Sequence, residues 1–300
     1  MDSFSVNRLP GVMVRPSEPT PPGTLNLSVI DRAIQLRFYI TALFVFRDGN
    51  KKSAMIIKEA LSKALVPYHP LAGRLQEKDN DDDDDDEELH ISCTGEGVWF
   101  VEAYADSSLA DLNYLDEAPQ DTQEKLTSDP IPAETMGLNP IMLMQVTSFK
   151  CGGFVTAVTH NHCICDGTGI CQFLSTVAPL AEVVKLIQEA KARLQAQYNK
   201  WMFNKGDDEV ELIEEPFTAQ LDYATLLVSY GENIGLDSMD YGWGPPLHGF
   251  AFLPHPIHPI GLLWPPMKPK TGIPLRTWCV EDSHLQAMKD ELMNLLNFNS

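Results

Sequence analysis

The chain has 300 residues, 44% apolar and 21% charged, globular values that allow a sizeable core in one or two domains. A formal charge of −20 argues against nucleic acid and anionic membrane surfaces as partners. Six cysteines are too few and too irregularly spaced for a disulfide framework, no run approaches the ~20 apolar residues of a membrane span, and residues 1–15 have no apolar core, so a reduced, cytoplasmic setting is expected.

In chain order, residues 52–66 read as an amphipathic helix with Ile56, Ala60, Leu61, Ala64 and Leu65 on one stripe, ended by Pro67. Asp79, Asp81 to Asp86, Glu87 and Glu88 then supply nine of the 42 acids in a single run. Charges that dense repel one another, so a solvated surface loop is expected; no EF-hand-like spacing supports calcium. Short strands at 89–92 and 98–103 flank the turn Thr94-Gly95-Glu96-Gly97, and a long connection fills 109–140. Residues 141–149 and 153–160 form a hairpin across Lys150-Cys151-Gly152-Gly153. Helices are expected over 169–178 and 183–203, with an acidic linker at 207–215. Strands follow at 226–230, 248–253 and 275–280, a proline-rich surface loop at 254–274, and a closing helix over 283–295 that Ser283 caps. Strands mixed with helices make this an α+β fold.

Residues 160–169, His-Asn-His-Cys-Ile-Cys-Asp-Gly-Thr-Gly, are the most informative stretch. His162 lies just past an alternating strand, and Asp166-Gly167-Thr168-Gly169 is a turn signal. A histidine at a strand end can stay partly open to a ligand, which suits a general base. Taken alone, H-x-x-x-D spacing is common by chance, and an ordinary strand end is the simpler reading. A metal site built on His160, His162, Cys163, Cys165 and Asp166 is disfavoured. In an extended chain the two histidines face one way and the two cysteines the other, so no tetrahedron closes. His255 and His258 are two ligands without others, and no metal is expected there either.

His162 to Gly167 resembles the H-x-x-x-D-G signature of the plant BAHD acyltransferases. Three further segments are similar to that family in the right order. They are Pro19-Thr20-Pro21 with Leu27-Ser28-Val29-Ile30-Asp31, Tyr68-His69-Pro70-Leu71-Ala72-Gly73-Arg74-Leu75, and Asp240-Tyr241-Gly242-Trp243-Gly244. The resemblance implies a two-lobe, chloramphenicol acetyltransferase-like fold with mixed sheets and flanking helices. It further implies transfer of a hydroxycinnamoyl, benzoyl or acetyl group from acyl-CoA, a co-substrate, to a hydroxyl or amine of a small plant metabolite. No permanent cofactor is implied. His162 inherits the role of general base. Asp166 inherits a loop-structuring role through an ion pair, with Gly167 beside it. Asp240, Gly242, Trp243 and Gly244 inherit a structural role, with Tyr241 where the family has phenylalanine.

The chain also departs from the pattern. Two lobes of ~200 residues each would need a longer chain. The shortfall falls after Pro179, where the family's Y-x-G-N segment and the arginine partnering the motif aspartate belong. Tyr230-Gly231 stands where many members carry a tryptophan. The expected division is residues 1–180 as the N-terminal lobe and 181–300 as a shortened, incomplete second lobe. Two readings follow: an active acyltransferase, monomeric unless exposed apolar surface drives association, or a truncated, catalytically weak homologue acting at most as a binding or regulatory protein.

Overall fold

A computed structural model describes residues 4–77 apart from 29, 34 and 35, then 89–128 and 140–177. From 227 to 297 it describes all but 232–233, 236–238, 254–258, 268, 271–273 and 278–281. The acidic run, the expected helix 183–203, the linker 207–215 and the pair His255 and His258 lie outside the described residues.

Short strands Val6–Arg8 (β1), Val12–Val14 (β2) and Thr24–Asn26 (β3) lead into Tyr39–Phe46 (β4). Helix Ser53–Ala64 (α1) precedes Arg74–Glu77 (β5), Leu89–Ser92 (β6) and Val98–Ala105 (β7). A short helix, Gln120–Lys125 (α2), is followed by Met142–Ser148 (β8), Phe154–Asn161 (β9) and helix Gly167–Thr176 (α3). Leu227–Tyr230 (β10), His248–Phe252 (β11), Ile260–Leu263 (β12), Leu275–Thr277 (β13) and helix Leu285–Asn297 (α4) complete the described elements.

The main sheet has the order β1-β7-β8-β9-β4-β11, with β2 also on β7. Only β7 and β8 run parallel within it. The expected hairpin is β8–β9: Phe149 N–H donates to Gly153 O at 2.9 Å, and Gly152 takes the positive φ its turn requires. Side chains alternate between two cores. Phe44, Phe46, Phe154 and Val158 face α1 and α3, while Leu43, Val45, Val155 and Ala157 pack with Phe250, Phe252 and Trp264. Three-stranded sheets β10-β12-β13 and β3-β6-β5 stand beside the main one. The α+β expectation holds. β11, from the last third of the chain, completes the sheet by pairing with β4 in the register Phe252↔Thr41 to His248↔Val45.

Several local expectations change. On α1 the expected Leu61, Ala64 and Leu65 are buried and Ala60 packs against the core, but Ile56 is 36% exposed and Ile57, 100° further round the helix, takes the buried place with Ala54. The strands expected at 89–92 and 98–103 both form, as β6 and β7, and belong to different sheets: β6 joins β5 and β3 while β7 joins β1, β2 and β8. The stretch expected as a proline-rich surface loop contains β12, whose Ile260 and Leu262 are buried. Prolines there flank the strand instead of breaking it. β4 was not expected: buried on both faces, its apolar run lacks the alternation that marks a half-exposed strand.

Arg74, 3% exposed, donates to Gly73 O at 2.7 Å and Gly97 O at 3.0 Å and pairs with Glu96 at 3.3 Å. Gly97 has φ +101, and a Cβ there would meet Val14 O at 2.2 Å. Gly97→Ala is therefore expected to lose at least ~1–3 kcal/mol in urea unfolding. An unchanged midpoint would show that this crossing is slack.

Candidate active site

His162 stands at the end of a continuous ladder. β9 pairs with β4 from Phe46↔Phe154 to Tyr39↔Asn161, and His162 N–H donates to Phe38 O at 2.8 Å one step further on. Asn161 then turns the chain: its Oδ1 accepts from Cys163 N–H at 3.2 Å and from the Cys163 thiol at 2.8 Å, and its carbonyl accepts from Ile164 N–H at 3.1 Å. Asp166 caps α3, its Oδ1 accepting from Gly169 N–H at 2.7 Å. What was expected as a turn from Asp166 to Gly169 is thus the first turn of a helix beginning at Gly167. Gly169 is required by close approach, since a Cβ would lie 2.8 Å from that of Cys165; at Gly167 a Cβ would make only ordinary contact with Ile234.

The imidazole of His162 is half-buried, with the Phe38 ring 5.2 Å away, centroid to centroid, and tilted by 32°. Its Nδ1 is sealed from solvent and has no hydrogen-bond partner among the described residues. Burial lowers its pKa below the ordinary 6.5; its own backbone carbonyl, Asp166 and Asp31 oppose the shift, the carbonyl from outside hydrogen-bonding geometry. His160 is 2% exposed, and burial, with His162 as neighbour, drives it to about 4. The Cys165 backbone favours its charged form without forming a hydrogen bond. Both imidazoles are consequently neutral at pH 7.

Burial pushes the Cys163 thiol up to about 11 and those of Cys165 and Cys171 to about 12, so none is a ready thiolate. Among the described residues no three His, Cys, Asp or Glu side chains converge as metal ligands. The Asp166 carboxylate is committed to the helix cap.

The Asp240-Gly244 segment is a separate structure. Asp240 Oδ1 accepts from Gly242 N–H at 2.7 Å and Gly244 N–H at 2.8 Å, with both glycines at positive φ. Tyr241 packs 5.2 Å from Phe46, and Trp243 meets Phe154 edge-on at 5.7 Å. Those contacts sit at the start of β9, roughly 25 Å of strand from His162 at 3.3 Å per residue. A cavity of about 600 Å³ lies elsewhere again, between Asp116, His248, Phe250, Trp264, Lys270 and Arg276. Lys270 pairs there with both Asp116 and Glu117. Phe38 and Asn161, which shape the setting of His162, were not singled out from the sequence; the apolar run into β4 was the available signal.

Residues 4–216 match the profile of the Transferase family, so the chain belongs to it. The resemblance to the BAHD acyltransferases therefore holds. Among relatives, acyl transferase 4 of Oryza sativa subsp. japonica is 27% identical over 446 aligned positions, covering 96% of this chain and 98% of that protein. A myricetin 3-O-glucosyl 1,2-rhamnoside 6'-O-caffeoyltransferase of Crocosmia x crocosmiiflora is 41% identical over 187 residues, 61% of this chain and 41% of its own. The taxadien-5-alpha-ol O-acetyltransferase of Taxus chinensis is 39% identical over 209 residues, 67% of this chain and 45% of that one. Matches of this second kind span less than half of the relative. The crystal structure of vinorine synthase shares the fold, with a TM-score of 0.58 at 15% identity over 86% of this chain and 91% of that one.

The Tyr241 hydroxyl is fully buried and without a hydrogen bond among the described residues; Thr156 Oγ1, close enough to favour its ionised form, is equally unpartnered. Tyr241→Phe should therefore stabilise the protein by ~1 kcal/mol in denaturant unfolding. A loss of that size would show that the two hydroxyls bond to each other.

Proposed function

We propose that this chain transfers an acyl group from an acyl-CoA thioester to the hydroxyl or amine of a small plant metabolite. The observation that carries this reading is His162: neutral, half-buried, and fixed at the end of a doubly paired strand. Caffeoyl, benzoyl and acetyl donors are the acyl classes in the names of its relatives, and we extend that range to this chain. The acceptor oxygen attacks the thioester carbonyl while Nε2 of His162 takes its proton. The tetrahedral adduct then collapses, the C–S bond breaks, and the imidazolium returns the proton to the departing thiolate, leaving ester and free CoA. No acyl-enzyme is required. Asp166 shapes the loop by capping α3, and Asp240, Gly242, Trp243 and Gly244 hold the chain preceding β11 against the core.

The proposal divides the chain into an N-terminal lobe, 1–180, and a shortened second lobe, 181–300, in a monomer of the reducing cytosol. Free thiols at all five described cysteines support that compartment. No described helix is long and apolar enough to cross a membrane. The alternative, a weakly active or silent homologue, rests on the chain's shortness alone: 446 aligned positions accommodate 300 residues only with long gaps on this side.

Free-thiol release from a panel of acyl-CoAs and alcohols separates the two readings, since a silent homologue releases none above background. His162→Ala should cost ~10²–10⁴-fold in turnover with the melting temperature unchanged; retention of most activity would remove His162 from its role. Because burial depresses its pKa, the base is more than half neutral at pH 6.5, and activity should fall as pH drops through the lowered value. An acid limb centred above 6.5 would contradict the burial.

A further inference from the structure

We infer that Phe38 holds the imidazole of His162 in its working orientation, as a positioning residue for the transfer proposed above; the inference rests on that reading. A catalytic base is commonly aimed by a third group bonded to its second nitrogen. That arrangement is missing among the described residues: Nδ1 of His162 is sealed and unpartnered, and the exposed Asp166 carboxylate is committed to Gly169 N–H. Something apolar has to do the aiming.

Phe38 meets His162 twice. Its carbonyl takes the histidine's backbone N–H at 2.8 Å, which fixes where the side chain starts. Its ring lies 5.2 Å from the imidazole, within the range of favourable aromatic pairs, and tilted by 32°. The register makes this contact obligatory. Tyr39 opposes Asn161, so the next step of the antiparallel ladder sets Phe38 opposite His162, where directly facing side chains meet. Phe38 is itself tied back by its N–H to Leu36 O at 2.8 Å and packs on the second core. The ring therefore restricts the imidazole's rotation and helps keep water from it.

The charged and titratable neighbours come from three sides. His160 lies on β9, Asp166 caps α3, and Asp31 belongs to the same segment as Phe38, with Arg37 acting on nearby Cys163. The two aspartates favour the charged imidazole, and burial opposes them and wins. Removing the ring weakens the winning side, so the pKa of His162 should climb toward 6.5.

The test compares Phe38→Ala, Phe38→Leu and Phe38→Tyr in the full chain. It uses steady-state kinetics with acyl-CoA across pH and NMR titration of the His162 ring proton, assigned by its loss in His162→Asn. The expected result is a fall in kcat of ~10²-fold for Ala and Leu, with KM for acyl-CoA within about twofold. The acid limb and the NMR pKa should both rise in Phe38→Ala, and Phe38→Tyr should recover most of kcat and the original pKa. Wild-type kcat in Phe38→Leu, or an unmoved His162 titration in a folded Phe38→Ala, would overturn the inference. If Phe38→Ala does not fold, the Leu and Tyr variants decide through kcat and the titration. An active His162→Ala enzyme would overturn the general-base reading instead, while the NMR titration still reports whether Phe38 governs the ring.

Discussion

Everything at the candidate site depends on β9 being hydrogen-bonded along both edges and buried on both faces. β8 pairs with it from Met142↔His160 to Ser148↔Phe154, and β4 from Tyr39↔Asn161 to Phe46↔Phe154. A one-residue slip would exchange its two faces, driving Phe154 and Val158 out of the core shared with the helices and Val155 and Ala157 out of the other. The strand can end in one place only. Where it ends, the ladder hands His162 to the loop before α3, and the end of a rigid strand places a side chain more firmly than a free loop can.

The local electrostatics follow from the same burial. Two imidazoles two residues apart, one fully enclosed and one half-enclosed, are both driven toward the neutral form, and the nearby thiols toward the protonated form. Desolvation disfavours charge of either sign, so a histidine becomes a better-populated base as a cysteine becomes a poorer nucleophile. The site thus suits proton abstraction from an acceptor more than covalent catalysis. Asp166 enters this balance by its charge alone, favouring the charged imidazoles and the protonated thiols, while its carboxylate caps the first turn of α3.

The Asp240-Gly244 loop closes the other end of the sheet. Its aspartate gathers two backbone N–H groups, and the two glycines take conformations that a Cβ would resist, so the chain turns sharply enough to present Tyr241 and Trp243 to Phe46 and Phe154. β11 then adds directly to β4. A segment from the last third of the chain is in this way built into the sheet that carries His162, and the two ends of β9 are coupled through one core.

The sequence alone carried what is local or periodic. The β8–β9 hairpin was legible from alternation and Lys150-Cys151-Gly152-Gly153, α1 from its stripe and Pro67, and His162 and Asp166 from a short motif, because each depends on neighbours a few residues away. The tertiary structure decided the rest. β4 was hidden because a strand buried on both faces has no polar alternation, β12 because its strand lies among prolines, and the exposed Ile56 because a helical stripe drifts by a residue until a partner surface fixes it. Whether Asp166 would reach a distant cation or cap its own helix was equally beyond the motif. Phe38 stands opposite His162 only through the pairing of strands more than a hundred residues apart, a register set by packing on both faces of the sheet that no local pattern encodes.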